Sequence, residues 1–428
     1  TKMKVTTAWT FYDWANSAFS LVITSAIFPS YFLNVTDPVL HIGNITMSNS
    51  SFYAYIIATA YLFVAIMSPF ASGFADSANN KKMMMLLFTI IGSFNCFLLF
   101  FFDGMSNLQF GATAFIFALI GFIGSIVFYN AFLPEITTED RFDSLSARGF
   151  SMGYIGSVIL LLVNLALITY PDTFGLSSSG QAARVSFAMV GIWWIGFATI
   201  PLHYLPGSFR LQLKRSKIAE GLYILKDVWY KLRHLPAIKH YLTAFFFYNA
   251  GVQTVMLLAA TFAKKELNFS TSDLIIIILI LQLVAVVGAI FFSKLSGWRS
   301  NKFSLMTMLL IWVAICVTGY LVVTKTQFYI LAATVGLVMG GIQSLSRSTY
   351  SKLIYTHQGE TTSFFSFYDV VDKISTLLGT FTFGFIENVT DNMRNSIFAL
   401  GLFFICGIAL LAITNLSDTN KNSMSEAL

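Results

Sequence analysis

Of the 428 residues, 56% are hydrophobic and 11% are charged, less than half the charged fraction of about 25% found in soluble domains. Such a composition excludes an ordinary water-soluble enzyme. The 26 Lys and Arg against 20 Asp and Glu leave a net charge of +6, which fits loops beside a membrane and not a nucleic-acid binder. Cys96, Cys316 and Cys406 each lie in an apolar run with no CxxC partner, so neither a disulfide framework nor a zinc site can be drawn from them.

A helix that crosses a bilayer needs about 20 predominantly apolar residues. Breaking the apolar runs at charge clusters, loops and prolines predicts twelve such spans: 8–33, 52–75, 83–102, 108–133, 147–170, 183–204, 238–263, 274–296, 304–324, 327–349, 362–386 and 395–416. The first run is about 25 residues long, contains Asp13 and has no small-residue cleavage pattern, so it is expected to be a permanent helix. With the N-terminus inside, 20 of the 26 basic residues fall on the cytoplasmic side, which places both termini in the cytoplasm.

The stretch 205–237 mixes Lys214, Arg215, Lys217 and Lys231 with Leu211, Leu222, Leu225 and Trp229 between Pro206 and Pro236, and reads as an amphipathic cytoplasmic linker. It divides the chain into an N-terminal six-helix bundle, 1–204, and a C-terminal one, 238–428. The halves repeat. FYDWANSA at 11–18 lies over FYNAGVQT at 247–254, residues 63–82 lie over 283–302, and GSIVFYN at 124–130 lies more weakly over GGIQSLS at 340–346. Each span matches the one six helices later, a parallel duplication. The predicted class is therefore an all-α membrane protein of twelve transmembrane helices in two pseudo-symmetric bundles.

This architecture resembles the major facilitator superfamily of secondary transporters. GFADSANNKK at 73–82 resembles that superfamily's loop motif after span two. The resemblance implies that Gly73 allows close helix approach, that Asp76 sits at the N-terminal end of span eleven as a latch, and that Lys81 and Lys82 bind the cytoplasmic surface. The second copy has Ser293 and Ser296 where the Gly and Asp would stand, so only the first copy is expected to act as a charged latch. FYDWANSAFSLVITSAIFPSYF at 11–32, FYNAFLPEI at 128–136, SARGFSMGYIGS at 146–157, FYNAGVQTV at 247–255, GLVMGGIQSLSRS at 336–348 and FFSFYDVVDK at 364–373 together look like the vacuolar-effluxer (autophagy-related protein 22-like) family. That resemblance implies export of amino acids in the fungal members.

Ionisable groups inside a span cost roughly 2.5–3.5 kcal/mol on insertion scales, so those retained face a cavity or a partner. Asp13, one to two turns into span one, reads either as a cation, proton or amine site or as half of an ion pair that holds the cytoplasmic gate. Arg347 closes span ten. Asp369, Asp372 and Lys373 lie within one turn of span eleven, where the four-residue spacing lets Asp369 pair with Lys373. These read as a gating network first and as solute contacts second. Amides and a phenol supply the candidate solute shell, because each amide both donates and accepts. They are Asn16 with Ser17 in span one, Tyr129 and Asn130 in span four, Asn249 and Gln253 in span seven, Gln282 in span eight and Gln343 in span ten, and a helix-to-helix bond is the alternative for each. Gly149, Gly153 and Gly156, and Gly336, Gly340 and Gly341, have the spacing of close helix contacts.

No phosphate loop, GxSxG or HExxH occurs, and no His stands at metal-ligand spacing, so no enzyme, cofactor or metal site is expected. The function read from the chain is secondary active transport of a small polar solute by alternating access. Amino-acid efflux leads and protons are the candidate coupling ion. The partners are the solute and the lipid bilayer, without nucleic acid, for a monomer in a bacterial inner membrane in preference to an organelle. The rivals are a lipid or amphiphile translocator and a non-transporting receptor or scaffold of the same fold.

Overall fold

The structure, a computed structural model, describes residues 3–209 and 215–416. Eleven helices among the described residues are long and apolar enough to cross a membrane: Val5–Val35, Phe52–Ala78, Lys81–Phe101, Met105–Ile136, Glu139–Thr169, Ser179–Tyr204, Pro236–Ala259, Asp273–Trp298, Asn301–Leu321, Lys325–Leu353 and Met393–Ile413. They coincide with ten of the predicted spans and the last. The predicted span eleven is also a continuous helix, Thr361–Thr390. Asp369, Asp372, Lys373 and Glu387 break up its apolar character, so its helicity rests on packing and not on a uniformly apolar surface.

Two elements were not foreseen. Span one changes pitch: an α-helix at Val5–Ala18 runs into a π-helix at Phe19–Ile27, then an α-helix at Phe28–Val35. Ser25 Oγ donates to the Ser20 carbonyl at 2.9 Å, a five-residue step matching the wider coil. Between spans one and two, Val39–Ile42 and Ile45–Ser48 form an antiparallel hairpin with Ile42 opposite Ile45. Gly43 takes φ +60° at its turn, where a glycine meets no steric penalty.

The chain forms two compact units, one of Thr1–Asn130 with Met152–Leu222 and one of Ala131–Ser151 with Tyr223–Leu428. In the first, aromatic rings fill the core: Phe28 stacks on Phe115 at 4.4 Å and Trp14 on Trp193 at 5.5 Å. In the second, spans eight and ten close on each other through small residues. A Cβ on Gly340 would overlap the Ala285 carbonyl, and one on Gly288 would overlap that of Leu337. Leu at any of these places would force the helices apart.

The linker contains one helix, Arg215–His234. In the first unit its Gly221 lies against the backbone of Gly73, where a Cβ would stand 2.8 Å from the Gly73 carbonyl carbon. Ser77 Oγ donates to the Lys217 carbonyl at 2.8 Å. The close approach expected at Gly73 thus has the linker helix on its other side. Lys81 and Lys82 are buried, only 7% and 6% exposed. Lys82 Nζ donates to the Leu205 carbonyl at 2.8 Å, where the end of helix Ser179–Tyr204 offers unpaired carbonyls to a cation.

Candidate functional site

In the first unit, α-helical spacing through Val5–Ala18 buries Trp9, Tyr12, Asp13 and Asn16. Tyr129 on span four donates its phenol hydrogen to Asp13 Oδ2 at 2.8 Å. Trp9 fixes that phenol from two directions, stacking on its ring at 4.5 Å and donating Nε1–H to the Tyr129 carbonyl at 3.1 Å. Tyr12 shares a hydrogen with Thr89 on span three, oxygen to oxygen 2.7 Å. Asp13 and Tyr129, 116 residues apart in the chain, are therefore joined by a buried hydrogen bond.

Asn16 and Asn130 are buried nearby in sequence. Asn16 Nδ2 has no hydrogen-bond partner among the described residues, nor has either amide atom of Asn164 on span five. A buried amide without a partner carries a desolvation cost of about 1–3 kcal/mol. Asn164 stands alone in a leucine-rich run, with no neighbouring polar residue to mark it. The π-helix begins three residues after Asn16, and such segments are frequent at functional sites. Nothing in the residue types announces it, because it depends on backbone pairing. Asp76, on span two, is half-buried.

In the second unit a polar cluster joins spans seven and eleven. Asn249 Nδ2 donates to Asp372 Oδ1 at 2.7 Å and to Ser375 Oγ at 2.8 Å, and Gln253 Nε2 donates to Asn249 Oδ1 at 3.3 Å. Lys373 Nζ pairs with Asp372 Oδ2 and, at 3.3 Å, with Asp369 Oδ1. Five predicted residues thus meet, with Ser375 as a sixth that no motif or spacing marks. Tyr248 carries the cluster's helix to span ten, its hydroxyl 2.8 Å from Ser346 Oγ. Gln343 Nε2 donates to the Met256 sulfur at 3.6 Å. Gln282, half-buried on span eight, forms no hydrogen bond with the cluster among the described residues.

Segment 131–151, in the same unit, carries a second network. Arg347 is buried, with its guanidinium 4.1 Å over the Phe150 ring. Its Nε donates to Ser146 Oγ and its Nη2 to the Ser146 carbonyl, both at 2.9 Å. Asp143 accepts from Asn301 Nδ2 and Ser296 Oγ, each at 2.8 Å, and from Lys352 Nζ at 2.7 Å. Asn301 also donates to Thr349 Oγ1 at 2.9 Å. The loop copy at 293–302 has no acid of its own, and Asp143 meets its Ser296 and Asn301. Ser296 stands where the first copy has Asp76, and the carboxylate of Asp143, from another part of the chain, accepts its hydrogen bond.

Beyond the spans, Lys231 on the linker helix bridges Asp227 and Glu360, 2.7 Å from each. The Lys231 hydrogen bond holds the Asp227 carboxyl below its ordinary range. His357, stacked on Phe364 at 5.1 Å, is pushed below its ordinary value by burial and then by the Lys231 charge. No group of three His, Cys, Asp or Glu side chains among the described residues could hold a metal ion.

The family model described as "Vacuole effluxer Atg22 like" matches residues 1–424. An uncharacterized MFS-type transporter of Bacillus subtilis (strain 168), YxiO, is 31% identical over 409 residues, covering 95% of this chain and 93% of that protein. Autophagy-related protein 22 of Saccharomyces cerevisiae (strain S288c) is 26% identical over 437 residues, covering 89% of this chain and 80% of that one. Two solved structures share the fold. The major facilitator superfamily transporter FucP in its outward conformation superposes with a TM-score of 0.71 at 12% identity, covering 96% of this chain and 98% of its own. The human organic anion transporter MFSD10 superposes with a TM-score of 0.72 at 9% identity, covering 95% and 98%. The fold is that of the major facilitator superfamily, a multi-pass membrane fold of transporters and not of enzymes. The chain belongs to the Atg22-like vacuole effluxer family of major facilitator transporters.

Proposed function

We propose that the protein is a secondary active transporter that exports amino acids by alternating access, with protons as the coupling ion. The carrying observation is the Asn249–Gln253–Asp372–Lys373–Asp369 cluster, which places amide, carboxylate and ammonium groups together inside apolar spans. A zwitterion needs both an acceptor for its ammonium and donors for its carboxylate, and this cluster holds both kinds. Asp13, Asn16, Tyr129 and Asn130 form the matching polar turn of the first unit. The description of the family as vacuole effluxers supports export.

Transport proceeds by rocking of the two bundles, 1–204 and 238–428, about a midplane site. Gly73, Asp76, Lys81 and Arg347 belong to the cytoplasmic gate in this reading. The protein works as a monomer in a bacterial inner membrane with both termini cytoplasmic, in keeping with the placement of its basic residues.

A thermal-shift screen of the purified protein against amino acids, peptides, sugars and lipids tests the solute class. At a free concentration 100 times Kd, a ligand of the folded state stabilises it by about 2.7 kcal/mol. Amino acids are expected to raise Tm; stabilisation by lipids alone would sink the assignment.

A further inference from the structure

The second-unit cluster is unevenly satisfied. Both oxygens of Asp372 are held, Oδ1 by Asn249 and Oδ2 by Lys373. Asp369 has one oxygen held, Oδ1 at 3.3 Å from the same ammonium. Its Oδ2 is buried, in a residue only 6% exposed, and has no hydrogen-bond partner among the described residues. The shortfall in a four-residue, two-carboxylate arrangement therefore falls on one atom, and a buried carboxylate oxygen without a donor is costly. The charges acting on Asp369 are those of Lys373 and Asp372 on its own helix. Tyr248 on span seven and Arg347 and Tyr350 on span ten act on the neighbouring Tyr368 from other helices.

We infer that Asp369 Oδ2 is the point where a single positive charge enters the second unit, delivered by a group that carries a transferable or donatable hydrogen. The inference rests on the transport reading and deepens it by naming the site. Two sources share that chemistry, a proton and the ammonium of an amine solute. Either one relieves the unmet oxygen. A proton also removes the charge that draws Lys373 to Asp369 Oδ1, leaving Asp372, bonded to Asn249 of span seven, as the ammonium's anionic partner, whereas an amine's ammonium adds a donor at Oδ2 and leaves that contact in place. Asp13 is a poorer candidate, because Tyr129 already donates to its Oδ2.

The test uses the full chain in nanodiscs, as wild type, Asp369→Asn and Asp369→Glu. Infrared titration of the protonated-carboxyl band between about pH 4 and about pH 8 covers the proton source. Thermal shift with methylammonium chloride covers the ammonium source, with tetramethylammonium chloride, which has no N–H, as its control. The expected result is a response in at least one arm that Asp369→Asn abolishes. An infrared response identifies the proton, and a shift with methylammonium but not with tetramethylammonium identifies the amine. Wild-type behaviour of Asp369→Asn in both arms overturns the inference, and so does silence of the wild type in both. If Asp369→Asn does not fold, Asp369→Glu decides: a displaced band or midpoint, or a changed methylammonium shift, supports the site, and identity with wild type overturns it. Absence of amino-acid flux together with an Asp369-dependent response would reject the transport reading and leave the charge site standing.

Discussion

Positions 13 and 249 match in the duplicated sequence, yet one holds a carboxylate and the other an amide. In the first unit the charge sits on span one and takes a hydrogen from Tyr129. In the second, the amide reaches a carboxylate supplied by span eleven and shared with Lys373. The tyrosines just before them behave alike, Tyr12 bonding Thr89 and Tyr248 bonding Ser346. The loops after spans two and eight differ in the same way. Asp76 belongs to the first loop itself, whereas Ser296 of the second is met by Asp143. Helix register sets which turn is polar, and both copies inherit it. A charge needs only to lie near its partners in space, so it can migrate from one element to another.

The largest effect should come from the loop pair. Asp143→Ala leaves Lys352 without its carboxylate at a mostly buried site, and loss of one partner there is expected to cost about 3 kcal/mol. Thermal unfolding in detergent measures it, and adding Lys352→Met should recover part of the loss. Unchanged Tm would mean that Asp143 does not do for the second loop what Asp76 is expected to do for the first. Next comes Asn249→Leu, which removes donors to both Asp372 and Ser375 and should cost about 2–3 kcal/mol. Tyr129→Phe removes a single bond to Asp13 and should cost about 1.5 kcal/mol by the same measurement. The reverse order would show that the first unit, and not the second, holds its charge more tightly.

The smallest effect concerns the linker helix. His357 binds a proton less readily folded than unfolded, so the native state holds fewer protons and stability falls as pH drops below the ordinary value of 6.5. Asp227, held low by Lys231, keeps its contribution there and loses it only as pH falls below its ordinary 3.8. His357→Gln should therefore flatten the pH dependence of Tm between about pH 7 and about pH 5, by under 1 kcal/mol. A slope unchanged by the substitution would assign it to another group.

Most of the fold was legible because hydropathy reports burial in lipid directly, one residue at a time. Thr361–Thr390 was legible despite its charges because apolar residues still surround them. The pairing of Asp369 with Lys373 was readable because it is local, four residues along one helix. The partners of Asp143 were not, since Ser296, Asn301 and Lys352 lie 153, 158 and 209 residues away. Nor was the π-helix, whose pitch is a property of backbone pairing. The hairpin at 39–48 left a sign in its Gly43–Asn44 turn, but the strands are too short for alternation to stand out.

Transport itself is tested most directly by counterflow of radiolabelled amino acids into proteoliposomes that hold the full chain. The account predicts label above that of empty vesicles for the wild type, enhanced by an imposed proton gradient, and its loss in folded Asn249→Leu. Wild-type vesicles that take up no more of any amino acid than empty ones, with or without the gradient, would contradict it.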